Sequence, residues 1–469
     1  MTAALHELGI AALARAYAAR DCSPVDVVRA VFERMARCEP RLHATWAADA
    51  EAALAAARAS ESRWLRGAAL GPLDGVPVTV KENIATRGLP LPLGTAATEL
   101  VPAADDAPPA ARLREAGAVL VAKSTMPDYG MLSSGLSSFH ALTRNPWDPT
   151  KNPGGSSAGA AAAAAAGYGP LHLGTDIGGS IRLPADWCGV VGFKPSNGRV
   201  PIRPPYVGRV AGPITRSTDD AAIAMSVLSL PDARDATSLP PQALDWCALG
   251  GDPREPGELL RGLRIGLLLD AGWGLACDAE IAAAVRDAAR RLEAAGAHVE
   301  PLAPFTTRAM ADGINLFWRM RSWLDISALP PARRERVLPY IRDWVAAGAH
   351  FSAAEVFGGY SQIAALRDAA VAACAPFDFV ISPVAPVSAF AADWASPTND
   401  PLRAMEHIAY TLPYNMSEQP AISVPCAQGA TGLPIGLQIA GRRHDDLGVL
   451  RVARAFEQLR APLPPWPQS

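Results

Sequence analysis

The sequence predicts an α/β fold: a single large domain in which a mixed central β-sheet is surrounded by α-helices. Short apolar segments such as GVPVTVKEN (75–83) and AVLVAKS (118–124) alternate with longer segments of helical periodicity. Such alternation is typical of a sheet whose faces are covered by helices. Hydrophobic residues make up 49% of the 469 residues, which is sufficient for a large buried core.

The N-terminal part of the chain begins with helices and continues as alternating strands and helices. Ser23, Pro24 and Asp26 supply an N-cap, a first-turn proline and an acid three residues after the cap, which predict a helix to about Cys38. The pattern then predicts a second helix within 44–67, a strand ending near residue 81, a helix over 108–116 and a strand over 118–124.

The rest of the chain continues this pattern with longer loops. It predicts strands over 263–270, 377–384, 420–425 and 433–441, and helices over 278–295 and 446–459. Loops rich in proline, glycine and aspartate are expected to form the mouth of a site, over 196–260 and 384–415. We therefore expect one domain over 1–469, with N-terminal helices (about 5–66), a core (about 70–230), a variable substrate-side region (about 231–410) and C-terminal strands and helix (about 411–460).

Charge and patterning argue against several classes of protein. Charged residues make up 19% of the chain and the formal net charge is −3, which disfavours a nucleic-acid-binding surface. Glu7 and Arg15 interrupt the apolar N-terminus, so no signal peptide is expected. Residues 152–175 are uncharged and long enough for a membrane span, but glycines, Pro170 and His172 argue against that alternative. Seven cysteines without a CxxC pair fit a reducing cytoplasm.

Lysine is rare in this chain and confined to one part of it. Only four of the 43 Lys and Arg residues are lysines, namely Lys81, Lys123, Lys151 and Lys194. A buried lysine can lose its proton, whereas arginine keeps its charge. The four positions are therefore candidates for functional amines, with an arginine-rich composition as the simpler explanation.

Two glycine-flanked serines, Ser156 and Ser180, lie on either side of an alanine run in NPGGSSAGAAAAAAAGYGPLHLGTDIGGSIRLPADWCG (152–189). Glycine-rich turns before helices can bind phosphate, but neither GxxxxGK[ST] nor a GxGxxG following a predicted strand is present. A serine nucleophile is the better interpretation, and it requires a base together with donors for the oxyanion. The residues alone do not identify the base, since no GxSxG or local Ser/His pattern occurs.

Backbone donors for an oxyanion are available in the segment GTDIGGS. Consecutive N–H groups belong to four residues, Ile177, Gly178, Gly179 and Ser180. The two glycines permit the tight curvature that a nest of N–H groups requires. This segment is therefore the expected oxyanion hole.

At these residues the chain resembles the amidase signature family. GGSSAG and, after it, GTDIGGSIRLPADWCGVVGFKPS resemble the two halves of the family's signature, and Ser180 lies 24 residues after Ser156. VPVTVKENI resembles the segment that supplies the family's lysine. Further similarity extends to AGAVLVAKSTMPDYG, to GPITRSTDDAA and to QPAISVP with GLPIGLQIAG. The resemblance implies the amidase signature fold and covers most of the chain, with 230–400 covered least.

The resemblance also implies a catalytic triad. Ser180 would be the nucleophile, Ser156 would follow a cis peptide bond and relay the proton, and Lys81 would be the general base. Lys81 would then have to be neutral, which burial in an apolar pocket favours. Ser157 is the alternative relay, and otherwise a helix-capping or supporting hydroxyl.

The family pattern implies supporting roles for other positions. Asp176 and Arg182 are expected to lock the nucleophile loop through a salt bridge, and Met131 matches a substrate-binding position or is a core methionine. Cys188 is expected to be a small buried residue. No HExxH or comparable ligand pattern occurs, so we expect no metal and no cofactor.

Two activities are compatible with this resemblance. The first is a free-standing amidase, similar to the aryl acylamidases and urethanases. It would hydrolyse the C–N bond of a small or aryl amide, with carbamates and esters as further substrate classes. The alternative is the catalytic subunit of a transamidating complex that acts on glutamyl-tRNA, and a non-catalytic scaffold is a third alternative. Residues 197–217 lack the SLDQ-like run of the transamidating subunit, which favours the hydrolase. The expected partners are a small-molecule amide and a second copy of the chain, with no nucleic acid and no membrane.

Overall fold

The computed structural model describes residues 4–252 and 254–467. Eleven strands are observed within this part of the chain: β1 (Thr45–Trp46), β2 (Pro77–Lys81), β3 (Val119–Ser124), β4 (Leu171–Asp176), β5 (Val191–Lys194), β6 (Val210–Thr215), β7 (Arg264–Leu267), β8 (His298–Pro301), β9 (Phe379–Pro383), β10 (Ala421–Gln428) and β11 (Pro434–Gly441). The α-helices are α1 (Ile10–Ala19), α2 (Pro24–Leu42), α3 (Ala50–Leu65), α4 (Pro108–Glu115), α5 (Ala158–Ala166), α6 (Arg182–Cys188), α7 (Thr218–Leu228), α8 (Pro256–Leu260), α9 (Ala279–Ala294), α10 (Arg308–Ser327), α11 (Pro331–Arg334), α12 (Pro339–Ala346), α13 (Ala353–Cys374), α14 (Leu412–Met416) and α15 (Asp446–Leu459).

All of these strands belong to one mixed sheet, in the order β1-β3-β2-β4-β6-β5-β10-β11-β9-β7-β8. The strands β3, β2 and β4 run parallel to one another, as do β8, β7 and β9 at the other end. The strands between these two groups pair antiparallel. The predicted fold class, a single domain with a mixed central sheet surrounded by helices, is confirmed.

The two faces of the sheet bury different groups of helices. Val78 and Val80 of β2 point into an apolar cluster that also contains residues of α4, α7, α9 and α15. Because side chains alternate along a strand, Thr79 and Lys81 point to the opposite face. That face is covered by α2, α5 and α6 over one half of the sheet and by α10, α12, α13 and α14 over the other half. The active-site lysine predicted from sequence therefore faces the alanine helix α5.

Helix α5 is formed by the alanine run and is completely buried. Ala158 is its first residue, and Gly167 ends it with a φ of +82°. Gly159 faces the backbone of two neighbouring loops, since its N–H donates to the carbonyl oxygen of Thr125 at 3.1 Å. A Cβ on Gly159 would lie 2.1 Å from the carbonyl oxygen of Ala44. The absence of a side chain at this position thus permits the close approach of α5 to its neighbours.

Most strands and helices predicted from the sequence occur near their predicted limits, including α2 with its Ser23–Asp26 capping box. The prediction of loop throughout 196–260 is wrong, because this stretch contains β6 and α7. Strand β6 reads VAGPIT, and its glycine and proline conceal the strand pattern. The subdivision of the domain at about residues 66–70, 230 and 410 stays a prediction. No helix within the described ranges is both long enough and apolar enough to cross a membrane.

We predict that Gly159→Ala destabilises the protein by about 3 kcal/mol, the upper part of the range for overpacked cores. The added Cβ would overlap backbone atoms that cannot rotate away. Gly358→Ala is the matched control, because a Cβ at this exposed position in α13 meets no atom within 4 Å and alanine favours the helix by up to ~1 kcal/mol. Urea denaturation of both variants measures the difference, and equal stabilities would contradict the packing argument.

Candidate active site

The candidate active site lies at the carboxyl edge of three parallel strands. Lys81 is the last residue of β2, and Asp176 is the last residue of β4. Because β2 and β4 are parallel neighbours, their carboxyl ends meet at the same edge of the sheet. The loop that carries Ser180 follows β4 directly and therefore begins beside Lys81.

Lys81 is fully buried, and its amine contacts two serine hydroxyls. Its Nζ lies 2.8 Å from Ser156 Oγ and 3.0 Å from Ser157 Oγ. Burial lowers the pKa of Lys81 well below its ordinary value of 10.5, and the positive charge of Arg209 lowers it further. The environment therefore favours the neutral amine, which can accept a proton.

Ser156 and Ser157 precede the N-terminus of α5. The peptide bond between Gly155 and Ser156 is cis, as the resemblance implies. Ser157 is the N-cap residue of α5, but its side chain makes no capping hydrogen bond. Instead its Oγ lies 3.2 Å from the carbonyl oxygen of Thr175 and contacts Lys81. The helix-capping alternative for Ser157 is wrong, whereas its roles as alternative relay or as supporting hydroxyl stay predictions.

The nucleophile loop is organised by the buried ion pair between Asp176 and Arg182. Arg182 donates from Nε and Nη2 to the Asp176 carboxylate at 3.1 and 3.0 Å, and both side chains are fully buried. Asp176 also accepts hydrogen bonds from the backbone N–H groups of Gly179 (2.8 Å) and Ile181 (3.0 Å). Although burial alone would raise the pKa of Asp176, Arg182 and further donors hold it well below its usual range. The ion pair expected from the family pattern is therefore present.

Residues from the C-terminal part of the chain complete this network. Arg182 donates from Nη1 to Gln438 Oε1 at 2.7 Å and from Nη2 to Asn415 Oδ1 at 2.6 Å. Thr411 donates from Oγ1 to the carbonyl oxygen of Gly178 at 2.6 Å. These three partners are not recognisable from the sequence, because they lie more than 200 residues from the loop. The only signal was the position of Gln438 within a predicted strand, where a buried amide needs a partner.

The predicted oxyanion-hole segment contributes fewer free donors than expected. All four N–H groups were expected to be free, but the N–H of Gly179 donates a hydrogen bond to Asp176. Within the described ranges, the N–H groups of Ile177, Gly178 and Ser180 have no assigned acceptor. Gly179 has a φ of +128°, and a Cβ there would lie 2.6 Å from Thr411 Oγ1. Only glycine fits this position of the loop.

A cavity of about 1140 Å³ opens above the nucleophile loop, and both Ser156 and Ser180 line it. Its wall beside the loop is apolar, since a Cβ on Gly178 would contact Trp318 and Ile408. Met131 also lines the cavity, and its role in substrate binding stays a prediction. The mouth includes residues of the predicted loops, but α10 supplies a wall that the sequence did not indicate.

Three of the four lysines are buried, as the rarity of lysine suggested. Burial lowers the pKa of Lys123 and of Lys194 to about 7 in each case. Lys123 donates to the carbonyl oxygen of Ile84 at 2.6 Å and Lys194 to that of Pro195 at 2.9 Å. Neither amine is hydrogen-bonded to a serine, so Lys81 alone combines a buried amine with candidate nucleophilic hydroxyls among the described residues.

Two histidines near the sheet, His172 and His140, have hydrogen-bond partners in the fold. His172 Nδ1 lies 2.9 Å from Thr79 Oγ1, and burial lowers the pKa of His172 to about 3. His140 Nε2 lies 2.7 Å from Glu82 Oε2. Over residues 4–252 and 254–467, no group of three or more His, Cys, Asp or Glu side chains is arranged to hold a metal ion. Cys188 is buried as expected, and burial raises the pKa of its thiol.

Curated relatives of this chain include two proteins that are named as subunits of glutamyl-tRNA(Gln) amidotransferase. The protein from Solidesulfovibrio magneticus is 35% identical over 97% of this chain and 98% of its own length. The protein from Myxococcus xanthus is 35% identical over 97% of both chains. The similarity therefore extends from end to end and includes the region 230–400.

Solved structures with the same fold include two amidases. A bacterial aryl acylamidase of the amidase signature family superposes with a TM-score of 0.89 at 29% identity and 97% coverage of both chains. The peptide amidase of Stenotrophomonas maltophilia superposes with a TM-score of 0.83 at 26% identity, covering 97% of this chain and 98% of its own. The arrangement of the sheet and helices is therefore shared by enzymes that act on different amides.

The names of the curated relatives overturn the expected function and partners. The sequence favours a free-standing hydrolase of small or aryl amides without a nucleic-acid partner, but the relatives are subunits of an amidotransferase named for glutamyl-tRNA. The expectation of a free-standing hydrolase depends on the absence of one short SLDQ-like run. The similarity to the amidotransferase subunits covers 97% of the chain. A four-residue difference outside the triad carries less weight than similarity over the whole length.

The family itself is established independently of these names. The amidase family model matches residues 26–450, which is most of the chain. The matched range includes the lysine, both serines and the nucleophile loop. This chain belongs to the amidase signature family, whose enzymes act on carbon–nitrogen bonds.

Proposed function

We propose that this chain is the amide-cleaving subunit of an amidotransferase, and that it releases ammonia from an amide donor for use on glutamyl-tRNA. The observation that carries the proposal is the identity of 35% over 97% of the chain with proteins named as subunits of glutamyl-tRNA(Gln) amidotransferase. The cavity geometry supports the amide-cleaving part, because Lys81, Ser156 and Ser180 lie around one site.

In the proposed reaction Ser180 Oγ attacks the amide carbonyl carbon while its proton passes to Ser156 and the Ser156 proton passes to neutral Lys81. The N–H groups of Ile177, Gly178 and Ser180 stabilise the oxyanion. The tetrahedral intermediate then collapses, its C–N bond breaks, and the proton returns through Ser156 so that ammonia leaves. Water hydrolyses the acyl-enzyme by the same relay, so one amide and one water give one acid and one ammonia.

A buried lysine suits this relay better than the ordinary solvated form. At its ordinary pKa an exposed lysine is protonated at neutral pH and cannot accept a proton. Burial reverses this preference for Lys81, and the contact of 2.8 Å with Ser156 Oγ provides the path for the proton. The carboxylate of Asp176 is fully engaged with donors and does not compete for that proton.

The released ammonia would pass to a partner subunit that binds the glutamyl-tRNA. Forming an amide from a carboxylate and ammonia requires activation of the carboxylate, so the partner must use a nucleoside triphosphate or an equivalent activating agent. We propose a cytoplasmic location, because aminoacylated tRNA is found there. The homodimer expected from the sequence stays a prediction.

We predict that the chain, co-purified with partner subunits from the same genome, transfers ¹⁵N from the amide of glutamine to glutamyl-tRNA in the presence of ATP. Mass spectrometry of the released amino acid measures the transfer. Ser180→Ala should lower the transfer from glutamine by at least ~10³-fold, because no acyl-enzyme can form. The same variant should still use free ammonium chloride, since the partner's reaction does not need Ser180. Absence of labelled product with the unmodified complex would contradict the proposed function.

We predict that kcat/KM for amide cleavage rises with pH through one ionisation of the free enzyme below 10.5. The lowered pKa of Lys81 sets this ionisation, and activity requires the deprotonated form, so the rate is lost as pH falls. Lys81→Arg should be inactive, because guanidinium keeps its proton. Lys151→Arg is the matched control at a partly exposed lysine and should keep the rate. A near-normal rate in Lys81→Arg would show that another group takes the proton.

A further inference from the structure

One partly buried guanidinium group in the active-site cavity has no carboxylate partner among the described residues. Arg209 is partly buried and lines the cavity, and its one side-chain hydrogen bond there is a contact of 3.4 Å with the carbonyl oxygen of Pro204. Burial lowers the pKa of Arg209 to about 10, helped by the nearby positive charge of Arg321. The group is still charged at neutral pH, so its charge lies uncompensated on the cavity wall.

The other charged groups that line the cavity are either paired or, like Arg203 and Asp105, exposed to solvent. Arg333 donates to the carbonyl oxygen of Ala97 at 2.7 Å and pairs with Glu99. Asp106 accepts from Arg114 at 2.8 Å, and Asp176 is paired with Arg182. Arg321 lies 3.8 Å from Asp325 and stacks over the ring of Tyr206. Among the cavity's charged groups that are shielded from solvent, the uncompensated positive charge is therefore that of Arg209.

A second unpaired group lies next to this charge. The hydroxyl of Tyr206 is buried and has no hydrogen-bond partner within the described ranges. Tyr206 lines the same cavity, and its carbonyl oxygen accepts a hydrogen bond from the backbone N–H of Arg209 at 3.0 Å. A guanidinium with one long hydrogen bond and a hydroxyl without an acceptor can both donate to a carboxylate.

The sheet register brings this pair close to the nucleophile loop. The last paired residues of β4 and β6 are Asp176 and Val210. The next residues along the two strands are Ile177, which opens the nucleophile loop, and Arg209. The apolar surface of Trp318 and Ile408 lies beside that loop.

We propose that Arg209 and Tyr206 form a subsite for a carboxylate carried by the amide donor, so that the preferred substrates are amides of dicarboxylic acids or of acidic amino acids. The amide group would lie at Ser180 and the connecting methylene groups would pack on Trp318 and Ile408. The carboxylate would bind Arg209, and Arg321 would add to the positive potential. This inference rests on the proposed function only in requiring an amide substrate.

Binding measurements on a Ser180→Ala background test the subsite without turnover. Titration calorimetry compares glutaramate, which carries an amide and a carboxylate, with pentanamide, a neutral amide of the same carbon number. We expect glutaramate to bind at least ~10-fold more tightly, which corresponds to a charge-assisted hydrogen bond. Adding Arg209→Met should abolish this preference, whereas Arg209→Lys should keep part of it.

Arg203→Met is the matched control, because Arg203 is exposed at the rim of the same cavity and should not change the preference. Equal affinities for the two amides, no binding of glutaramate, or an unchanged preference in Arg209→Met with a native melting temperature would each overturn the subsite. If Arg209→Met still transfers ¹⁵N to tRNA with an unchanged KM for glutamine, the subsite is overturned and the proposed function stands. A preference dependent on Arg209 without any transfer to tRNA would sustain the subsite and contradict the proposed function.

Discussion

The buried ion pair between Asp176 and Arg182 is the interaction on which the arrangement of the active site depends. It joins the end of β4 to the start of α6 and holds the intervening loop by accepting hydrogen bonds from the loop's own N–H groups. Through Asn415 and Gln438 the same pair connects this loop to α14 and β11. A buried pair of charges is tolerated only when the remaining donors and acceptors are satisfied, as they are here.

Electrostatics divide the site into a neutral part and a charged part. Lys81 is held near two hydroxyls and away from a carboxylate partner, and its burial removes the stabilisation that water gives to an ammonium group. The charged groups beside it, Asp176 and Arg182, neutralise each other. Arg209 then contributes a positive charge that reinforces the neutrality of Lys81. One wall of the cavity can therefore be polar without disabling the amine that the reaction needs.

Features that are local in the chain could be predicted from the sequence, whereas those that depend on distant contacts could not. The strand ending at Lys81 was recognisable from its apolar residues, and the glycines identified the loop before Ser180. Strand β6 was hidden, because a strand with glycine and proline is stabilised by its neighbours on both sides rather than by its own pattern. The lack of a carboxylate beside Arg209 could not be predicted, since it depends on which acids fold to lie near it.

The alanine helix α5 has a consequence for the order of the site. Freezing a long side chain in a core costs up to about 2 kcal/mol of conformational entropy, whereas alanine has no rotamers to lose. Helix α5 therefore becomes fully buried without this cost, and its position is determined by backbone and methyl contacts alone. Ser156 and Ser157, at its N-terminus, are then attached to a helix whose side chains have no alternative rotamers. The alanine run thus removes side-chain disorder from the helix that carries the two hydroxyls in contact with Lys81.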